Sequence, residues 1–476
     1  MPYDFPIYMN GDFHKTNDTL EIRSPYDNRL IGQTYRANSD EIKIAIEGSV
    51  SAFTETKKMP VYERVEKLTL IRDDLKANNE EFARIICEEA GKPINTSRLE
   101  AERAVMTFTD ALEECKRIRG EYFPLDYDAS AQNRWGMIRR FPIGPILGIS
   151  PFNFPLNLVC HKVAPALASG NTIILKPASQ TPLSALRLAQ SFSKADWPKG
   201  SFNVLPMDSK NAHFLLSDDR IKMVTFTGSP AVGWSIKNNA GRKRITLELG
   251  GNAAVIIHHD ADIEYAASRC ALGGFVQSGQ NCISVQRVYV HHDIYNPFMD
   301  TFITKVEALK TGDPSEEETF VGPLIHSSEV TRVKDWLKEA TDDGATILTG
   351  GTISGNLMTP TVLINVNPKQ KISCQEVFAP VVVVYRYSNI EEALRQVNDS
   401  EYGLQAGLFT RDAGIIYKAY EEVEVGGLII GDVPTFRADH MPYGGIKRSG
   451  MGREGARFAI EEMTEMKLLV MNNITV

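Results

Sequence analysis

From residue 145 onward the chain alternates short apolar runs with stretches of helical spacing, and that rhythm restricts it to few folds. Ile146–Ile149, Thr172–Leu175, Val224–Phe226 and Ile245–Leu247 read as buried strands, with residues 156–168, 181–194 and 230–239 as the helices between them. Strands apolar on both faces belong inside a parallel sheet covered by helices. The rhythm restarts after Gly251: Ala253–Ile257, Val285–Val290 and Val381–Tyr385 are strand-like, and 261–276, 294–310 and 327–341 are helix-like. The expected class is therefore α/β, with a second α/β domain beginning near residue 252. A chain of 476 residues is too long for one ordinary core, which agrees with that division.

The first third reads differently. Residues 7–35 look like short strands joined by turns at Asn10-Gly11 and Pro25–Asn28. Val65, Leu68, Ile71, Leu75, Phe82, Ile85 and Ile86 recur at helical spacing and predict a helix over 60–90, ending at Gly91. Residues 95–119 predict another, with Ala101, Val105 and Phe108 on one face. Residues 122–142 are polar and aromatic; with the apolar tail Met466–Val470 they predict a protruding arm that pairs with another subunit.

Composition excludes several classes. The formal charge is −8 without a long Lys/Arg run, which argues against nucleic-acid binding. No stretch reaches the roughly 18 apolar residues of a membrane helix, and the opening MPYDFPIYMNGDF lacks a basic region followed by an apolar run. A cytoplasmic protein without a membrane partner is expected. The six cysteines are scattered without a CxxC pair, so neither a disulfide framework nor a metal site is expected. Cys87, Cys160 and Cys270 sit among apolar neighbours and read as inert core thiols.

Cys282 differs, because Gly279, Gln280 and Asn281 precede it in a small polar turn that suits an open thiol. A free thiol has a pKa of about 8.5 and needs help to react. Attack on an aldehyde would generate an oxyanion. Asn153, in the Pro-bounded SPFNFP turn after a strand, and the backbone N–H of Cys282 could meet it, one such donor being worth roughly 3–4 kcal/mol. Glu248, just before Gly250-Gly251, could act as general base. Each has a plain alternative: a turn asparagine, a surface carboxylate, a buried thiol.

A cofactor site is suggested by FTGSPAVG at 226–233, which follows a strand and opens a helix. Gly228 permits a tight turn, Ser229 offers a hydroxyl and an N–H near a helix start, and Pro230 suits the first helical position. Lys176, at a strand end in LKPAS, lies where open α/β sheets bind ligands and could bond an adenosine ribose.

The segments PFNFP, LKPAS, FTGS, LELGG, GQNC, EVFAPV and PYGGIKRSGMGREG, in this order, resemble the NAD(P)-dependent aldehyde dehydrogenase superfamily over essentially the whole length, with the lactaldehyde, succinic semialdehyde and non-phosphorylating glyceraldehyde-3-phosphate dehydrogenase group in particular. The resemblance implies Cys282 as nucleophile, Asn153 as oxyanion donor and Glu248 as general base. It implies a cofactor site built from Ser150, Phe152, Lys176, Ser179, Gly228, Ser229, Leu249, Glu376 and Phe378, with Glu376 on the nicotinamide ribose and Phe378 beside the nicotinamide. It implies a Rossmann-type cofactor domain (1–121 and 143–251), an α/β catalytic domain (252–445) and a β-arm (122–142 and 463–476) that builds a homodimer or homotetramer.

The implied reaction oxidises an aldehyde to its acid through a thiohemiacetal and a thioester on Cys282, with NADP or NAD as acceptor. Many NAD-preferring members carry glutamate where this chain has Ser179; serine removes a charge that would repel a 2′-phosphate, so the reading leans to NADP. In VPTFRADHM before PYGG, alignment puts Phe436, Arg437 and His440 near the substrate mouth, where Arg437 could bind an anionic tail or instead pair with Asp439. Asn157 and His161 could line the tunnel or serve packing and capping. A small polar or anionic aliphatic aldehyde is expected. Two alternatives stand: a CoA-acylating semialdehyde dehydrogenase, and a cysteine thioesterase or esterase without redox chemistry.

Overall fold

The structure, a computed structural model, describes residues 3–472. Residues 1–2 of the expected cofactor domain and 473–476 of the expected arm lie outside the described residues.

Five parallel strands form the centre of an eight-stranded sheet, in the order Arg244–Glu248, Met223–Thr227, Ile146–Ile149, Ile173–Lys176, Phe202–Val204. The antiparallel strands Gly450–Met451 and Ile7–Met9 flank them, and Asp12–His14 closes the edge beside Ile7–Met9. The chain runs outward from Ile146–Ile149 to one side, then returns to build the other side. The crevice between Ile146–Ile149 and Met223–Thr227 is therefore the topological switch point, where open sheets bind ligands. Helix Asn157–Ala168 packs on this sheet with all of its residues buried, as the apolar run predicts.

A second sheet has seven strands, in the order Thr346–Thr349, Thr361–Ile364, Val381–Tyr387, Arg287–His291, Ala254–Ile257, Gln405–Phe409, Gly427–Ile430. All pairs are parallel except the first. Its central strands are buried on both faces, which explains their continuous apolar composition. A third sheet of three antiparallel strands, Glu121–Pro124, Arg134–Pro142 and Thr464–Asn472, joins the segment at 121–142 to the chain end.

Two local expectations are corrected. Residues 60–90 form two helices, Val61–Ala77 and Asn79–Ala90, because Asn78 leaves helical geometry (φ −112°, ψ 26°) between them. The helix expected to reach residue 119 ends at Cys115. Among the described residues no helix is long and apolar enough to cross a membrane.

Candidate active site

The carboxyl ends of the parallel strands supply the first groups. Ser150 follows Ile149, Lys176 ends its strand, Gly228 and Ser229 follow Thr227, and Glu248 ends the strand at the sheet's other side. Ser229 precedes helix Pro230–Asn239 with Pro at its start, and its side chain makes no capping bond. A Cβ on Gly228 would strike the Phe226 ring at 2.6 Å, and one on Gly233 would enter the Leu249 side chain. Glycines here let the turn and the helix start close on the Phe226 and Leu249 side chains. Ser150 Oγ is buried without a partner. Burial pushes the Lys176 ammonium below its ordinary pKa, opposed by Asp208. An orphaned hydroxyl, a capless helix start and a desolvated ammonium fit the phosphates and ribose of a dinucleotide. Ser179 is half-buried in the turn after Lys176.

Phe378 holds a left-handed backbone (φ 51°) and packs edge-on against Phe152, with ring centroids 5.8 Å apart. Glu376 Oε1 accepts from Gly251 N at 3.0 Å, and its other oxygen occupies the space a Cβ on Gly250 would need. Burial pushes Glu376 up to about 7. The two glycines after Glu248 thus give the Glu376 carboxylate its seat.

Cys282 is half-buried rather than open, because the turn before it is pinned on several sides. Gln277, Ser278 and Gly279 are all left-handed (φ 53°, 58° and 67°). Ser278 Oγ donates to Gly322 O at 2.7 Å, Gln277 Nε2 donates to Asn153 O, and Gln280 Oε1 accepts from Ile325 N at 2.9 Å. A Cβ on Gly279 would meet Ala379 O, and one on Gly251 would meet Cys282 O. Burial pushes the Cys282 thiol up to about 12, and the Tyr443 hydroxyl, 3.0 Å from the sulfur, works against it. The other thiols behave as expected: burial raises Cys87 to about 12 and raises Cys160 and Cys270 as well.

Asn153 is buried, and its side-chain amide donates to Gln280 O at 2.9 Å, which ties it to the cysteine turn and leaves its other N–H without a partner among the described residues. Lys92, which the sequence marks only as part of the helix stop Gly91-Lys92-Pro93, also donates to Asn153 O at 3.1 Å. Lys92 is fully buried with Glu100, and Glu100 Oε1 accepts from the Leu156 and Asn157 N–H groups. This pair clamps the SPFNFP turn; burial lowers Lys92 to about 8, with Glu100 opposing.

Glu248 is 2% exposed, not a surface carboxylate, and neither oxygen has a partner among the described residues. Gly444 leaves room for it, since a Cβ there would come 2.8 Å from Glu248 Oε1. Burial raises Glu248 well above the carboxylate range, and the charge of Glu454 raises it further.

Behind Glu248 lies a buried charge network that sequence reasoning missed. Lys162 Nζ donates to Glu454 Oε1 at 2.9 Å and to Thr227 Oγ1 at 2.6 Å. Arg437 does not pair with Asp439: its side chain, 8% exposed, donates to Glu454 Oε2 at 3.2 Å and stacks 3.7 Å from the Tyr443 ring centroid, while its Nε stays buried and unpartnered. Burial opposes ionisation of Glu454, but Lys162 and Arg437 prevail and hold it at about 2. Asp439 instead takes a bidentate pair from Arg103 (3.0 and 2.8 Å), with Asn157 Nδ2 at 3.1 Å and His161 Nε2 at 2.9 Å. Burial lowers the His161 pKa, against the pull of Asp439, and since the Asp439 carboxylate only accepts, His161 donates through Nε2–H; Asn157 and His161 are buried bonding partners of this loop. Phe436 and His440 are exposed. The legible signal for Lys162 is a lysine inside a largely apolar, fully buried helix, which demands a buried anion.

The chain is similar to known proteins over nearly its whole length. Residues 13–469 match the Aldehyde dehydrogenase family. A 3-sulfolactaldehyde dehydrogenase of Priestia aryabhattai is 45% identical over 469 residues, 98% of this chain and 98% of the relative. The crystal structure of aldehyde dehydrogenase 21 from Physcomitrella patens, in complex with the reaction product succinate, has a TM-score of 0.98 and 42% identity, covering 100% of this chain and 99% of that chain. The glyceraldehyde-3-phosphate dehydrogenase GapN from Methanocaldococcus jannaschii, complexed with NADP, has a TM-score of 0.93 and 36% identity, covering 96% and 100%.

Proposed function

The chain belongs to the aldehyde dehydrogenase family, aldehyde-oxidising oxidoreductases, and we propose that it oxidises a small polar aldehyde with an anionic tail, accepting NADP. The observation that carries this reading is the half-buried Cys282 thiol on a turn bonded to the Asn153 side chain, with the unpartnered Glu248 carboxylate among the charges that act on it.

The Cys282 thiol gives its proton to solvent base and the thiolate adds to the aldehyde carbon; a C–S bond forms, the C=O π bond opens and the carbonyl oxygen becomes an oxyanion. The uncommitted N–H of Asn153 and the backbone N–H of Cys282 bind that oxyanion. The nicotinamide dinucleotide, held by Ser150, Lys176, Ser179, Ser229, Glu376 and the Phe152–Phe378 pair, supplies the hydride acceptor when bound. With hydride gone, a thioester remains on Cys282. Glu248 takes a proton from water, the hydroxide attacks the acyl carbon, the C–S bond breaks and the carboxylic acid leaves.

The anionic tail is assigned to Arg437, whose buried Nε–H lacks a partner and whose guanidinium lies over the ring of Tyr443, the residue that touches the nucleophile. The sulfonated substrate named for the Priestia relative and the succinate bound in the moss enzyme support an anionic group there. NADP use is supported by Ser179, which adds no carboxylate beside Lys176, and by the NADP bound in the GapN neighbour. The strand Thr464–Asn472, bonded on one edge only and carrying exposed Met466, Leu468, Leu469, Val470 and Met471, is assigned to a subunit interface.

The test is reduced-cofactor production from NADP and NAD with lactaldehyde, 3-sulfolactaldehyde, succinic semialdehyde, glyceraldehyde 3-phosphate and an uncharged alkyl aldehyde. Fastest turnover of an anionic member with NADP supports the reading. Preference for the uncharged aldehyde, or no turnover of NADP, removes the specificity assignments and leaves the cysteine chemistry.

A further inference from the structure

Tyr443, in the PYGG turn, has no part in the chemistry above. Its side chain is 3% exposed. Its hydroxyl lies 3.0 Å from Cys282 Sγ, which is its hydrogen-bond partner among the described residues. A phenylalanine would fill nearly the same volume without burying a hydroxyl, and a buried hydroxyl is costly unless well bonded. The residue is held firmly. Tyr443 N donates to Glu454 O at 3.1 Å and Glu454 N donates back to Tyr443 O at 2.7 Å. The Arg437 guanidinium, 3.7 Å from the ring centroid, covers one face.

We infer that Tyr443 is a catalytic residue: its hydroxyl donates a hydrogen bond to the Cys282 thiolate and stabilises the reacting form of the nucleophile. With the thiol protonated, either atom can donate. Once the sulfur has lost its proton, only the hydroxyl can, and a bond to an ionised acceptor is the stronger kind. Burial keeps the Tyr443 hydroxyl well above its ordinary pKa, so it stays protonated and able to donate. The charged groups around the sulfur divide: Glu376 and Glu248 disfavour the thiolate, while Arg437 and the Tyr443 hydroxyl favour it. Arg437 thus lies on the ring of the residue that activates the sulfur, so that the tail-binding group and the nucleophile share one side chain.

This inference rests on Cys282 as the nucleophile. Its test uses the free enzyme: the rate of Cys282 alkylation by iodoacetamide against pH, followed by peptide mass. Solvent base removes the S–H proton, the thiolate displaces iodide, and a C–S bond forms. Tyr443→Phe is expected to raise the apparent thiol pKa by about one unit and to slow alkylation at neutral pH about tenfold, at a similar unfolding midpoint. An unchanged alkylation profile in a folded Tyr443→Phe protein overturns the inference. Should that variant not fold, 3-fluorotyrosine placed at 443 has a more acidic hydroxyl and is expected to lower the apparent thiol pKa; an unaltered thiol pKa overturns it equally. The assay needs neither aldehyde nor nucleotide. Loss of the Cys282 reading, by aldehyde oxidation surviving in Cys282→Ala, is therefore a separate result.

Discussion

Asn153 shares its side-chain amide between structure and chemistry. One N–H bonds Gln280 O and the other is uncommitted. Asn153→Ala is expected to lower kcat by roughly 10²–10³, about 3–4 kcal/mol of lost oxyanion binding, and steady-state kinetics beside thermal unfolding checks this. Glu248 has a folded pKa raised by burial and then by Glu454. A raised carboxyl binds more protons folded than unfolded, so its stabilisation is full below the unfolded value of about 4.3 and is lost as pH rises through the folded pKa. Glu248→Gln is accordingly expected to unfold at a higher temperature than the native protein at pH 7.5, with the difference vanishing near pH 4, while its turnover collapses. Cys282, Asn153 and Glu248 were legible because each sits in a short segment with turn or strand-end residues around it. Lys162, Glu454, Lys92 and Glu100 were not, because their partners meet only after folding: Lys162 and Glu454 are 292 residues apart in sequence. Arg437 is legible as a cation near the substrate mouth, with a substrate anion or the nearby Asp439 as its candidate partners; the partner in the fold, Glu454, is hidden because only folding brings it to the arginine.

At the scale of elements, the SPFNFP turn depends on its clamp. The Lys92–Glu100 pair is fully buried and reaches both Asn153 O and the first N–H groups of helix Asn157–Ala168. Breaking one partner of such a pair leaves an uncompensated buried charge and costs about 3–5 kcal/mol. Lys92→Met is expected to show a loss of that size in denaturant unfolding, together with a fall in kcat as Asn153 shifts. Wild-type-like stability in this variant would contradict the clamp. Parallel strands were the most legible elements, since burial on both faces gives continuous apolar runs such as Val381–Tyr385. Helix Ser39–Thr56 went unread: its β-branched residues and Gly48 weaken the helical signal, and what identifies it is the Asn38–Glu41 capping box. The break at Asn78 was equally hidden, because the apolar spacing continues across it.

Across the whole molecule, two sheets supply one site: the first sheet's strand ends carry Ser150, Lys176, Ser229 and Glu248, and the second carries Cys282 on the segment before Arg287–His291. The arm strand Thr464–Asn472 leaves a long apolar edge, which soluble proteins seldom expose unpaired. On the proposed interface, Leu468→Glu with Val470→Glu is expected to give a smaller mass than the native protein in light scattering coupled to gel filtration; an unchanged mass would contradict the assignment of this strand to a subunit interface. All of this geometry serves one chemical claim, that aldehyde oxidation passes through a covalent bond to Cys282. The measurement that tests it most directly mixes the enzyme with aldehyde and NADP, then records reduced cofactor and intact protein mass for the native protein and for Cys282→Ala. The expected result is reduced cofactor with an acyl adduct on the peptide containing Cys282, and neither in the variant. Reduced cofactor formed at the native rate by Cys282→Ala would contradict the mechanism outright.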